Sequence, residues 1–156
     1  MKRTGFSIVL LVLIVFMSGC GIVVSTTASP SNVMKSVSLE ALISANQGDL
    51  ISQADLSSTT VFEPGTDFFQ KEEQAWLELD PTNISAFMGA VRSEIEGSIA
   101  SSEAEIIGTG GGLDDGSSFS IRYREDGVDG VINVWGVLDE GNSFTLILLI
   151  TERFGR

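Results

Sequence analysis

Ser118-Phe119-Ser120-Ile121-Arg122-Tyr123-Arg124-Glu125 decides the fold. Phe119, Ile121 and Tyr123 fall on one face, and Ser118, Ser120, Arg122 and Arg124 on the other. A period of two is the mark of a half-buried strand. Downstream, Asp126-Gly127 and Asp129-Gly130 read as a turn, Val131 to Leu138 as a strand, Asp139-Glu140-Gly141-Asn142 as a turn, and Phe144 to Thr151 as a last strand. Short spacers rich in Asp and Gly between such runs imply consecutive antiparallel hairpins. Ala104 to Thr109 reads as the strand that opens this series.

Upstream the period changes. Ile84, Phe87, Met88, Val91, Ile95 and Ile99 recur at steps of three and four, a single apolar stripe at helical spacing. Asp80 suits the cap and Pro81 the first helical position, so a helix is expected over about 81–101. Gly89 and Gly97 each cost a helix about 1 kcal/mol relative to Ala, and close packing against another element is the expected compensation. Ala75 to Leu79 reads as a short strand before the helix. The expected fold class is α+β: one amphipathic helix packed on an antiparallel sheet of about five strands, in the order β-α-β-β-β-β.

One helix covers one face of such a sheet. The last strand is apolar on both faces, with Phe144, Leu146, Leu148 and Ile150 on one and Ile147 and Leu149 on the other. The strand before it offers Ile132, Val134 and Leu138 against Val131, Trp135 and Val137. Leaving both faces in water would exceed the apolar patch of an ordinary soluble monomer. Residues 37–69 folding back is the expected cover, with a second copy or another protein as the alternatives. In that stretch Ser38 suits the cap of a short helix carrying Leu39, Leu42 and Ile43 and ending at Gly48. Thr59 to Phe62 reads as a strand stopped by Pro64-Gly65, and Phe68 and Phe69 as core or lid residues. The element order from about 75 to 152 resembles the cystatin-like arrangement, which implies a sheet wrapped on one helix. The Gln-x-Val-x-Gly loop of cystatin inhibitors is absent, so protease inhibition is not implied.

At the N-terminus, Lys2 and Arg3 precede an apolar run from Ser7 to Met17, and Ser18-Gly19 precede Cys20. A positive start, an apolar middle and small residues before a cut are the plan of a secretory signal. Met17-Ser18-Gly19-Cys20 resembles the lipobox of bacterial lipoproteins, with Met17 where Leu is usual. The resemblance implies a signal peptide over 1–19, cleavage before Cys20, and a diacylglyceryl group on its sulfur. The alternative is an uncleaved membrane helix over Gly5 to Val24, just long enough to span but diluted by Ser18, Gly19 and Gly21. Both readings put the rest of the chain outside the cytoplasmic membrane, and in the first the lipid on Cys20 is the contact to cell membrane or outer membrane. In a diderm host with enterobacterial sorting, Gly21 in place of Asp favours the outer membrane. Residues 25–36 are small and polar with one proline and reach on the order of 20 Å, so 20–36 reads as the lipidated cysteine and a flexible tether. Residues 37–156 then form a single α+β domain.

Cleavage leaves seven basic residues against 21 acidic ones, a net charge of −14. Nucleic acid and anionic headgroups repel such a domain. Cys20 is the only cysteine, so no intramolecular disulfide forms and the core alone must hold the fold. The chain has no His, which removes the commonest general base and zinc ligand. Lys35 and Lys71 are the amine candidates for activating a serine, and Glu72-Glu73 and Glu94 with Glu96 read as solvated faces. Gly108-Thr109-Gly110-Gly111-Gly112 is followed by Leu113-Asp114-Asp115 and a strand, so it reads as a hairpin loop and not as a phosphate cradle. Asp114, Asp115, Asp139 and Glu140 would suit calcium only if the fold gathers them at one end of the sheet. Arg122 and Arg124 are expected to pair with neighbours such as Glu105. Asn83-Ile84-Ser85 spells a glycosylation sequon but reads as helix-entry chemistry. No catalytic residue, cofactor or metal site is assigned. The expectation is a lipid-anchored, non-enzymatic envelope protein with a binding or assembly domain, working with an envelope partner or as a homo-oligomer. A surface carboxylate-dependent hydrolase and a self-associating structural protein are the alternatives.

Overall fold

The computed structural model describes residues 29–46, 50–51, 53–61, 68–111, 117–139 and 143–154. Residues 1–19, read as a signal peptide, and Cys20 lie outside them, as do Asp114, Asp115 and Glu140 of the calcium reading. Two short helices come first, α1 (Asn32–Ser36) and α2 (Leu39–Ser44), then strands β1 (Gln53–Val61) and β2 (Phe68–Glu78). A single 3-10 turn (Pro81–Asn83) leads into α3 (Ile84–Ser101), and β3 (Glu105–Gly111), β4 (Ser118–Glu125), β5 (Val128–Leu138) and β6 (Ser143–Phe154) complete the chain. The strands form one antiparallel sheet in the order β1-β2-β6-β5-β4-β3. The architecture is mixed α+β with the sheet dominating.

The sheet has six strands where about five were expected, because β1 pairs along β2 from Gln53↔Glu78 to Val61↔Gln70. β2 also runs well beyond the short strand expected over Ala75 to Leu79. Gly108 to Gly111, read as a loop, are strand residues facing β4. A Cβ on Gly110 would lie 2.5 Å from the Ser120 hydroxyl, so glycine lets the two strands approach there. Ile107 is the extra residue of a bulge between the Ile106↔Tyr123 and Gly108↔Arg122 pairs. The β4–β5 hairpin turns on Asp126 (φ 47°) and Gly127 (φ 82°), the two positive φ angles of a type I′ turn.

Helix α3 begins as its sequence implies. The Asp80 carboxylate accepts from the Thr82 amide at 2.9 Å, and Pro81 opens the first turn. The helix buries Phe87, Met88, Val91, Ile95 and Ile99. Phe87 meets Phe144 edge to face, with ring centroids 6.1 Å apart. The Arg92 guanidinium sits over the Phe119 ring and pairs with Glu96 one turn on. Gly89 and Gly97 both lie on the exposed side with open space where a Cβ would stand, so the close packing expected at them is not there.

Two further expectations are overturned. Residues 31–36, read as the end of a tether, are part of the folded unit: Ser31 caps α1, and Val33 and Met34 are buried. Among the described residues of 37–69, the segment expected to cover the second face, none does so. Both α1 and α2 touch α3, and α2 also lies against β1 and β2, so all three helices crowd one face of the sheet. That inner face contributes Ala75, Leu77, Phe119, Ile121, Tyr123, Ile132, Val134, Phe144, Leu146, Leu148 and Ile150 to a single core. β1 extends the edge and does not cross over.

Candidate functional site

Two features stand out, one buried on the inner face and one exposed on the outer. The inner one follows from alternation. Tyr123 and Glu125 share the face of Phe119 and Ile121, Glu152 shares that of Leu148 and Ile150, and Lys71 and Glu73 that of Ala75 and Leu77. The sheet therefore aims three carboxylates, an ammonium and a phenol into the helix layer. Glu152 is fully buried and accepts from the Ser31 amide at 3.0 Å, from the Ser31 hydroxyl and from the Tyr123 hydroxyl. Glu125 accepts from the Asn32 and Val33 amides at 2.9 and 3.0 Å. Glu73 accepts from the Leu39 amide at 2.5 Å and pairs with Lys71 at 2.9 Å. Lys71 in turn donates to the Met34 and Val37 carbonyls.

These are the helix-end groups that have no partner within their own helix. Carboxylates sit at the start of α1 and an ammonium at its end, the arrangement that the peptide dipoles favour. Charge-assisted bonds of this kind are stronger than neutral ones and offset the burial of charge. Burial pushes the Tyr123 hydroxyl well above its ordinary pKa, and the Glu152 carboxylate beside it adds to the shift. The cluster thus fastens α1 and α2 to the sheet. Lys71 is held as a structural cation and is not a poised amine. Glu73, expected on a solvated face, is buried.

Beside this cluster opens a cleft of about 640 Å³, lined by Asn32, Lys35, Ser36, Ser101, Ser102, Glu103, Glu125 and Asp126. It brings three carboxylates near one ammonium. Glu125, its one buried acid, spends both oxygens on backbone amides. Among the described residues, no group of three or more acidic, His or Cys side chains could hold a metal ion. Among them also, no helix is long and apolar enough to cross a membrane.

The outer face is built from the opposite set of side chains. Cross-strand register lines up Trp76, Thr145 and Val137 in one row, and Gln74, Ile147, Trp135 and Ser118 in the next. Glu72, Leu149, Asn133 and Ser120 follow, then Gln70, Thr151, Val131 and Arg122. An apolar band runs from Trp76 through Ile147 and Leu149 to Trp135 and Val137, across three adjacent strands. Trp76 is 40% exposed, Trp135 38% and Val137 54%, although each stands mid-sheet. Both tryptophans of the chain lie here, on the face that none of the described helices covers. Across the band, Asp55 and Glu72 are exposed on the β1–β2 side, and Arg122 and Arg124 on the β4 side together with Glu105 and Asp129. Arg124 pairs with Asp129 at 2.7 Å across the hairpin, which holds the Asp129 carboxyl below its ordinary pKa. Glu105, the expected partner of Arg124, stands opposite it in the β3–β4 register and adds only a weaker attraction.

Sequence reasoning placed Trp135 and Val137 on the second face but did not single out Trp76, whose strand was read too short. It missed the inner carboxylates, for which a signal existed: Glu125 continues the alternation of Phe119, Ile121 and Tyr123. Comparisons with protein families, curated proteins and solved structures give no match. The likeness to the cystatin-like arrangement therefore rests on element order alone.

Proposed function

We propose that the chain is a lipid-anchored protein of the cell envelope whose domain is a non-catalytic binding or assembly module. The observation that carries the reading is the outer face of the sheet. Two tryptophans, flanked by Ile147, Leu149 and Val137, stand in water where a helix layer would be expected. Tryptophan anchors with a polar rim are typical of protein contact surfaces. The engagement of Lys71, Glu73, Glu125 and Glu152 in fastening α1 and α2 supports a structural role for these groups over a catalytic one. The lipobox-like Met17-Ser18-Gly19-Cys20 supports attachment through Cys20, with the domain facing away from the cytoplasm.

The anchor is tested by metabolic labelling with palmitate. Wild type is expected to take up label and Cys20→Ala to lose it; an unlabelled wild type removes the lipoprotein reading. The module is tested by a photo-crosslinking residue in place of Trp135 in intact cells. A discrete adduct is expected, and a chain that stays solitary under gentle lysis argues against it.

A further inference from the structure

We propose that the outer face pairs with the same face of a second copy, as a two-fold sandwich whose axis runs along the strands between β5 and β6. The proposal rests on the binding-module reading and names its partner.

A two-fold interface requires one patch to complement itself. The strand order β1-β2-β6-β5-β4-β3 has its midpoint between β6 and β5. A two-fold axis along the strands there lays β5 on β6 of the copy, β4 on β2, and β3 on β1. Trp135 then meets Ile147 of the other copy, which already shares its row. Trp76 comes over the end of the copy's β4, one row beyond Ser118. Glu72 on β2 comes over Ser120 of the copy, one row from Arg122. Glu72 of each face thus comes within a row of Arg122 of the other. An axis across the strands would instead set β2 on β2 and bring like charges together, which is unfavourable. With a net charge of −14 on each mature chain, association needs such local matching.

The area is sufficient. Six strands about 4.8 Å apart, each about ten residues long at roughly 3.3 Å per residue, make a face on the order of 800 Å². Two such faces bury about 1,600 Å² in total, the size of a standard specific interface. Stacked sheets of this kind are a common packing. A lipid surface is the less suitable occupant, because a face that carries charges of both signs does not match a surface of one sign.

The test is sedimentation equilibrium of the full chain in density-matched detergent, from low to high micromolar protein. Wild type is expected to dimerise. Glu72→Arg alone and Arg122→Glu alone should each weaken the dimer about tenfold or more, since each breaks two symmetry-related pairs. The double reversal should restore it, and thermal melts should show all three variants folded. A wild type that stays monomeric overturns the proposal, as does a dimer indifferent to the single reversals. If the wild type is monomeric and the probe at Trp135 captures a different protein in cells, the self-pairing fails and the binding-module reading stands. If the probe captures nothing, both fail.

Discussion

Replacing Tyr123 with Phe tests the inner cluster, and the structure sets the size of the effect. The ring is fully buried and packs over Gly130, where a Cβ would lie 2.1 Å from the ring carbon that bears the hydroxyl. Phe keeps that packing and deletes one bond, the hydroxyl donated to Glu152. Glu152 retains the Ser31 amide and hydroxyl, so no charge is orphaned. A hydrogen bond to a charged group contributes about 1.5–3 kcal/mol, and Tyr123→Phe should lose about that much at neutral pH in a urea melt. The pH dependence gives the sharper test. The folded-state pKa is raised, so the contribution of Tyr123 is fully present below the unfolded value of about 10 and declines above it, until the folded pKa is reached. In that window the unfolded chain ionises and the folded chain does not, and wild type loses about 1.4 kcal/mol per pH unit relative to the Phe variant. The stability gap should therefore close between about pH 11 and 12. All other titrations are common to both chains and cancel in the difference. Tyr123 is the only tyrosine, so tyrosinate absorbance reports on it alone and should appear together with unfolding. A Phe variant as stable as wild type at neutral pH, or a phenol that titrates near 10 in the folded chain, would refute the account.

Other substitutions test the helix and sheet. Gly89→Ala and Gly97→Ala have open space for the new methyl and should each stabilise by about 1 kcal/mol in thermal melts. Glu103 closes α3 with φ 60°, while its own amide bonds the Ala100 carbonyl and the Ala104 amide bonds that of Ile99. Glycine is the residue suited to this position, so Glu103→Gly should stabilise by about 1 kcal/mol by the same measurement. Gly136 is the opposite case: a Cβ there would lie 2.0 Å from the Phe144 ring, which itself packs on Phe87. Gly136→Ala should destabilise by about 1–3 kcal/mol, read as a lower urea midpoint at an unchanged slope. Arg124→Ala removes an ion pair that is more than half exposed on both sides, and should leave the urea midpoint essentially unchanged.

What the sequence made legible was what repeats. The stripe from Ile84 to Ile99 and the alternation from Ser118 to Glu125 each state their period several times over, and both elements stand where that reading put them. What it left obscure depends on single residues meeting across long separations. Asn32 to Ser36 is too short and too polar to read as a helix by itself. It is helical because Glu125 and Glu152, 93 and 121 residues away from their amide donors, bind the start of the segment and Lys71 binds its end. No local rule carries that information, although an acid placed on the core face of an alternating strand is a visible request for a donor. The same logic explains the outer face. Apolar residues on both sides of β5 and β6 signalled a second cover, but composition could not say whether the chain or another molecule supplies it. The cluster decides this for residues 31–44, because its carboxylates draw α1 and α2 to the inner face. With those helices bound there, no described helix lies over the outer tryptophans.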